Sequence, residues 1–304
     1  MGRNPYKKYY PYILLTLILL LFVYTRYTNE GFQEIDEKLI CGNAFKSLCK
    51  YNLDDRYELI PYDNTLKKGD TVFLKLTDIP AFLANPPKHP LTLIIGNNDE
   101  TFADSHMNSL RQHAIRVYAV NSSAKGVYQI PMGFRDSEYT SHDVLYNVKN
   151  DKETPDKKDT LCLVNFILGT NESERTKAYN RFKNEEWVTL SESYINYNLN
   201  KSLSHTDSET KEKRIEYYRQ LKRTKFVICP PGAGIDTHRV YETLYFGGVP
   251  IIKSSFLDPM YEKIGNCWIV NDWAEVSESR CYDYWNNLNI TRPLLSIKDW
   301  DLNT

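Results

Sequence analysis

Residues Phe226 to Ile252, FVICPPGAGIDTHRVYETLYFGGVPII, decide how this chain is read. Phe226 to Cys229 is an apolar run of strand length, and Pro230-Pro231-Gly232-Ala233-Gly234 turns it. A helical stretch from about Asp236 to Phe246 follows, Gly247-Gly248 ends it, and Val249 to Ile252 opens a second strand. A strand that runs through a glycine-rich turn into a helix leaves backbone N–H groups free at the positive end of the helix dipole, which suits a phosphate. Pro231, Gly232 and Gly234 shape the approach, Asp236 or Thr237 would cap the helix, and Arg239 and Glu242 lie three apart on one face. A guanidinium there can grip a diphosphate and a carboxylate can accept hydrogen bonds from ribose hydroxyls. The spacing matches neither G-x-G-x-x-G nor a P-loop, so the letters alone leave open a bare packing turn with an intrahelical Arg239–Glu242 pair.

Outward from this stretch the chain keeps alternating strand and helix. Thr160 to Ile167 reads as a strand, Ser173 to Lys183 as a helix with acidic residues at its start, Trp187 to Leu190 as a strand, and Lys211 to Lys225 as an amphipathic helix with Ile215, Tyr218 and Leu221 on one side. Upstream, Thr71 to Leu76, Leu91 to Ile95 and Val117 to Val120 are short β-rich runs, with a helix expected around Ser105 to His113. Such alternation predicts an α/β fold with parallel sheets. The charged stretch Lys149 to Asp159 reads as a solvated linker between halves. Ligands of such folds sit at the carboxyl ends of strands, here in a cleft between the halves.

The first 30 residues differ in kind. Tyr12 to Tyr24, YILLTLILLLFVY, is uncharged and preceded by Arg3, Lys7 and Lys8. With its flanks it reaches the short end of what spans a bilayer, and no small-residue cleavage site follows. The expectation is an uncleaved signal-anchor with the N-terminus in the cytoplasm, giving a single-pass type II membrane protein. A cleaved leader or a buried hairpin helix are the alternatives. The resulting plan is tail and anchor over 1–27, stem over 28–57, a first α/β domain over 58–150 and a second over 160–304.

The chain has 304 residues with 38 Lys plus Arg against 39 Asp plus Glu, so no basic field exists to attract nucleic acid. With 23 Tyr and 12 Phe it carries the aromatic area of a folded protein. Cys41 with Cys49 and Cys267 with Cys281 could pair in an oxidising lumen, whereas Cys162 and Cys229 sit in apolar strands as expected for buried thiols. Sequons at Asn121, Asn171, Asn200 and Asn289 are no more than chance supplies.

The Phe226 to Ile252 stretch resembles the C-terminal signature of exostosin-like glycosyltransferases: an apolar strand, a Pro/Gly turn, D-x-x-R, two residues, Glu, a Gly and V/I-P-V/I. Asp236, Arg239, Glu242, Gly248 and Val249-Pro250-Ile251 supply each element. Asn165-Phe166 with Thr170-Asn171 and Arg175, Ile130-Pro131-Met132-Gly133, Gly96-Asn97-Asn98-Asp99 and Asn271-Asp272-Trp273 are similar to weaker landmarks of that family, so the likeness covers roughly 70 to 275. It implies two Rossmann-like domains facing a cleft, the GT-B arrangement, behind an N-terminal transmembrane helix and stem, in the Golgi or endoplasmic reticulum if the cell is eukaryotic. It implies transfer of a sugar from a nucleoside-diphosphate sugar, UDP-sugar favoured, to a glycan or glycoprotein hydroxyl, with inversion. Carried over, Glu242 would bind ribose, Arg239 with Pro231, Gly232, Gly234, Asp236 and Thr237 would line the diphosphate site, and Arg175 would add charge.

Displacement at an anomeric carbon requires leaving-group charge to be neutralised and the acceptor hydroxyl to lose a proton. No metal or other cofactor is expected, because the D-x-D at Asp299-Trp300-Asp301 lies at the chain end, where it reads as a frayed tail, and the histidines show no ligand spacing. Asp99, after the Leu91 to Ile95 strand, is the preferred base; Asp78 and His106 are rivals, and Asp99 could instead cap a helix starting near Thr101. A membrane-anchored, catalytically inactive nucleotide-sugar- or glycan-binding protein is the alternative function, because a donor motif does not itself establish turnover.

Overall fold

The computed structural model describes residues 39–53, 66–137, 142–152, 154, 157–191, 208–300 and 302. The apolar segment Tyr12 to Tyr24 and half of the stem lie outside the described residues. Among the described residues no helix is long and apolar enough to cross a membrane.

The chain is α/β, with two parallel five-stranded sheets. The first takes the order β1-β2-β3-β4-β5 and the second β10-β9-β8-β6-β7. In the first, β1 is Tyr51–Asn52, β2 Thr71–Leu74, β3 Leu91–Ile95, β4 Ala114–Ala119 and β5 Tyr128–Gln129. In the second, β6 is Thr160–Val164, β7 Val188–Leu190, β8 Thr224–Ile228, β9 Val249–Lys253 and β10 Trp268–Val270. Parallel strands need crossovers, and the helices Asp104–Leu110, Glu172–Phe182, Ser208–Arg223 and His238–Tyr245 provide them. Because helices cover both faces, central strands are apolar throughout, as in the fully buried LTLII of β3.

Alternation along each strand divides the core. On the first sheet Val72, Leu74, Leu93, Ile95 and Val117 pack outward with Phe82 and Leu110. On the second, Cys162, Val164, Phe226 and Ile228 face Phe182, Trp268 and Trp273. The opposite faces, with Phe73, Ile94 and Tyr118 from the first sheet and Leu163, Val227 and Ile252 from the second, join one continuous cluster. The C-terminal tail closes it, since Leu295, Ile297 and Trp300 are buried there, Ile40 N–H donates to Leu295 O and Tyr118 Oη to Leu302 O.

Two expectations change here and a third is refined. The Lys149 to Asp159 segment is exposed at Asn150, Lys152, Lys157 and Asp159 but is held to the second half at several points: the helix His142–Asn150 packs on Ser208–Arg223, buried Lys222 donates to the carbonyls of Val148 and Asp151, and Lys158 donates to those of Leu221 and Phe246. Asp299 is not on a frayed tail, because its carboxylate accepts from Ser296 N–H and pairs with Arg292 in a 3-10 turn, Ile297–Asp299, beside buried Trp300; Asp301 lies outside the described residues. All six cysteines are free. Cys267 packs on the shared cluster and Cys281 on the outer face of the second sheet, so the sheet separates them. Cys41 instead uses its Sγ to accept from Ala44 N–H at the start of the helix Gly42–Ser47.

Candidate functional site

The carboxyl ends of both sheets converge. After β4 the chain turns at Asn121, which holds φ 50° and is 1% exposed. Asn enters that left-handed conformation more readily than most other non-glycine residues. Its Nδ2 donates to Asn98 O and its Oδ1 accepts from Asp236 N–H at 2.8 Å, so the sequon there is closed in the folded chain. Asp236, buried, accepts from Met132 N–H at 2.8 Å and from the hydroxyls of Tyr241 and Tyr261. His238 Nδ1 donates to Gly133 O at 2.7 Å, and Gln129 Nε2 to Phe256 O. Gly133 holds φ 74°, with room for no Cβ, since one would lie 2.0 Å from Ile40 O. Of the two expected cap candidates, Asp236 braces the first half. Thr237 takes the cap position without a side-chain cap bond.

Isolation from water sets the charge of this brace. Burial pushes the Asp236 carboxyl up to about 6, against the opposing pull of its hydrogen bonds, and burial holds the His238 imidazole below its ordinary value.

The glycine turn after β8 lies against this junction. A Cβ on Gly234 would come 2.8 Å from Asn121 Nδ2 and 2.9 Å from Asp99 O. Asp99 therefore stands on the loop touching the turn, exposed. The helix beyond it starts at Asp104 with Ala103 at the cap, so Asp99 caps nothing there. His106 is less suited to be a base: its Nδ1 accepts from Ala103 N–H at 3.0 Å, which leaves the proton of the neutral ring on Nε2. Asp78 Oδ2 accepts from Lys75 N–H. A cavity of about 370 Å³ opens beside this loop, with Leu76, Ile79, Pro80 and Leu83 on its apolar side and Glu100 and His106 on its polar side.

On the second sheet, Arg175 from the helix Glu172–Phe182 reaches under the turn. Its Nε donates to Pro231 O at 2.9 Å and its Nη1 to Ile167 O at 2.7 Å. Nη2 lies 2.9 Å from where a Gly232 Cβ would be, so only glycine leaves that space open. Asn171 caps the same helix and donates to Gly232 O at 3.0 Å, fixing the turn from below. Arg239 Nη1 donates to Asn165 Oδ1 at 2.7 Å, and its guanidinium stands 5.6 Å from the centroid of the Tyr217 ring. Burial, and next the charge of Arg239, pull the Arg175 guanidinium down to about 10. Two cations thus sit together, and among the described residues no carboxylate pairs with Arg175.

Glu242, expected at ribose, is buried and accepts from Tyr217 Oη at 2.7 Å and Tyr218 Oη at 3.3 Å. The ring of the same Tyr217 carries the Arg239 guanidinium. Sequence reasoning missed Asn121, Tyr217, Tyr241 and Tyr261 as parts of this region, and the spacing of their codes offered no signal. Among the described residues no three His, Cys, Asp or Glu side chains cluster as a metal site.

The model of the RXYLT1 C-terminal domain matches residues 145–302, just over half of the chain and all of the second sheet. No curated protein matches the chain. With the strand, turn, helix and paired arginines of that region in place, the chain belongs to the RXYLT1 C-terminal domain family, a family of glycosyltransferases.

Proposed function

We propose that this chain is an exostosin-like, GT-B glycosyltransferase whose two sheets are the cores of Rossmann-like domains, moving a sugar from a nucleoside-diphosphate sugar to a hydroxyl of a glycan or glycoprotein. The observation that carries this is Arg175 beside Arg239 at the carboxyl end of the second sheet, with Arg175 bonded only to carbonyls among its hydrogen-bond partners. Arg175 is buried with a second cation beside it, and a diphosphate is an anion that two neighbouring guanidiniums, a glycine turn and a helix N-terminus together fit. In the reaction the bond from the anomeric carbon to the phosphate oxygen breaks, the acceptor oxygen bonds that carbon from the opposite face, and its proton passes to a base. Arg175, Arg239 and the Gly232 to Gly234 amides take up the developing diphosphate charge, in a site needing no metal.

Asp99 is the base in this reading, because it combines an exposed carboxylate with a backbone that touches the turn at Gly234. The neighbouring cavity beside Glu100 and His106 receives the acceptor. Glu242 supports the ribose end while holding Tyr217. The N-terminal apolar segment anchors the chain as a type II membrane protein, with the transferase in the Golgi or endoplasmic reticulum lumen of a eukaryotic cell.

The test is a thermal shift of the full chain with UDP-, GDP- and CMP-sugars, with and without EDTA. A ligand at a hundred times its dissociation constant adds about 2.7 kcal/mol. One class of nucleotide sugar raising the melting point regardless of EDTA, then transferred to an acceptor, supports the reading. No stabilisation by any of them refutes the donor site, and binding without transfer to any acceptor returns the chain to a binding protein.

A further inference from the structure

Asn165 follows β6 directly and is 0% exposed. Arg239 Nη1 donates both to its Oδ1 at 2.7 Å and to its backbone oxygen at 3.3 Å. A guanidinium has only donors, so this contact fixes which way the amide faces: the oxygen lies toward Arg239 and the nitrogen away. Nδ2 has no hydrogen-bond partner among the described residues. A buried amide N–H without an acceptor is expensive, and a leucine of similar volume would avoid that cost.

A second orphan sits across the same turn. Thr237 Oγ1 is out of contact with water and without a partner, while the Thr237 methyl lies 3.6 Å from where a Gly232 Cβ would be, next to Arg175 Nη2. Two unsatisfied donors, one open glycine position and two guanidiniums therefore border one region at the ends of β6 and β8. An anion with several oxygens can satisfy such a set, and a diphosphate brings more oxygens over a longer span than a single phosphate does.

We infer that Asn165 makes this site selective for a diphosphate over a monophosphate: its Oδ1 positions Arg239 and its Nδ2 donates to a diphosphate oxygen. This rests on the donor reading above and adds a residue and a selectivity to it. The amide works because it offers an acceptor on one side and donors on the other, which a carboxylate does not.

The experiment titrates the full chain with UDP, UMP, GDP and GMP in wild type and in Asn165→Asp. Asn165→Asp keeps an oxygen for Arg239 and replaces the donor by a negatively charged acceptor. The expected result is a melting point close to wild type, nucleoside-diphosphate affinity down by about 10- to 100-fold, and monophosphate affinity changed by less than about threefold, so that the ratio between them collapses. Asn165→Ser, which also removes the amide donor, serves if Asn165→Asp does not fold, with the same ratio as its readout. A folded variant that keeps the wild-type ratio within about twofold overturns the inference. Wild-type chain that binds no nucleoside diphosphate overturns the donor reading itself, which is a separate outcome.

Discussion

Asp236 donates its backbone N–H to Asn121 Oδ1 at 2.8 Å, across 115 residues of sequence. That bond ties the turn that begins the Arg239 helix to the end of β4. Because Asn121 also holds Asn98 O and Asp236 also holds Met132 N–H, the loops of the two sheets share one small network. The Pro/Gly turn is thus positioned by the first half of the chain as much as by its own.

Asn121→Ala removes both bonds and places at positive φ a residue that enters that region less readily than Asn. The expected loss is about 2 to 4 kcal/mol, from an orphaned buried N–H and the left-handed backbone. Asn121→Gly loses the bonds without the backbone strain and costs less. Urea midpoints of the two variants check this; equal losses would show that the backbone conformation is not strained.

The Asp236 carboxyl, raised from 3.8 to about 6, is protonated more readily in the folded chain than in the unfolded one. Between those values the native state binds more protons, so this group's contribution to stability falls as pH rises through the window, by about 3 kcal/mol in all. Asn at 236 does not titrate. Wild type therefore gains on Asp236→Asn as pH drops from 7 to 4, and denaturant melts of both proteins across that range measure it; a constant difference contradicts the assignment.

Arg175→Met keeps much of the volume and removes one of two adjacent cations. Losing the bonds to Pro231 O and Ile167 O costs about 1 to 3 kcal/mol, partly offset by relief from the charge of Arg239. The folded variant is expected to show no thermal shift with nucleoside diphosphate under conditions that stabilise wild type. A normal shift would remove Arg175 from the site.

Gly234→Ala drives a methyl to within 2.9 Å of the Asp99 carbonyl and 2.8 Å of Asn121 Nδ2. The loops must part, at about 1 to 3 kcal/mol, and activity should fall with stability because Asp99 moves away from the turn. Steady-state kinetics on the folded variant decides it, and unchanged turnover would release Asp99 from the role of base.

Six free thiols predict that reductant leaves the melting point and the gel mobility of the protein unchanged. Burial pushes Cys49, Cys229 and Cys281 up to about 12, so these thiols should resist a thiol reagent at pH 8 until the chain is unfolded. Fewer than six reactive thiols after unfolding without reductant would reveal a disulfide.

The strand, turn, helix and strand of Phe226 to Ile252 were legible in sequence, because each depends on contacts within a few residues. Apolar runs mark buried parallel strands, Gly247 stops a helix at φ 73°, and a glycine at 232 leaves room beside Arg175 Nη2. The β3 and β6 runs and the Glu172–Phe182 helix follow from the same local rules. What those rules cannot specify is where a polar side chain finds its partner. Asp236 is one letter from the helix cap position, and its environment is set by Met132, Tyr241 and Tyr261; Glu242 turns to Tyr217 and Tyr218; Asn165 meets Arg239 74 residues on. Sequence determined which groups this half of the chain carries and the elements that hold them. Only the tertiary structure decided which of those groups are spent on bracing the two sheets and which remain unpaired at the turn, because a buried polar group takes the partner that packing brings to it, however distant in the chain.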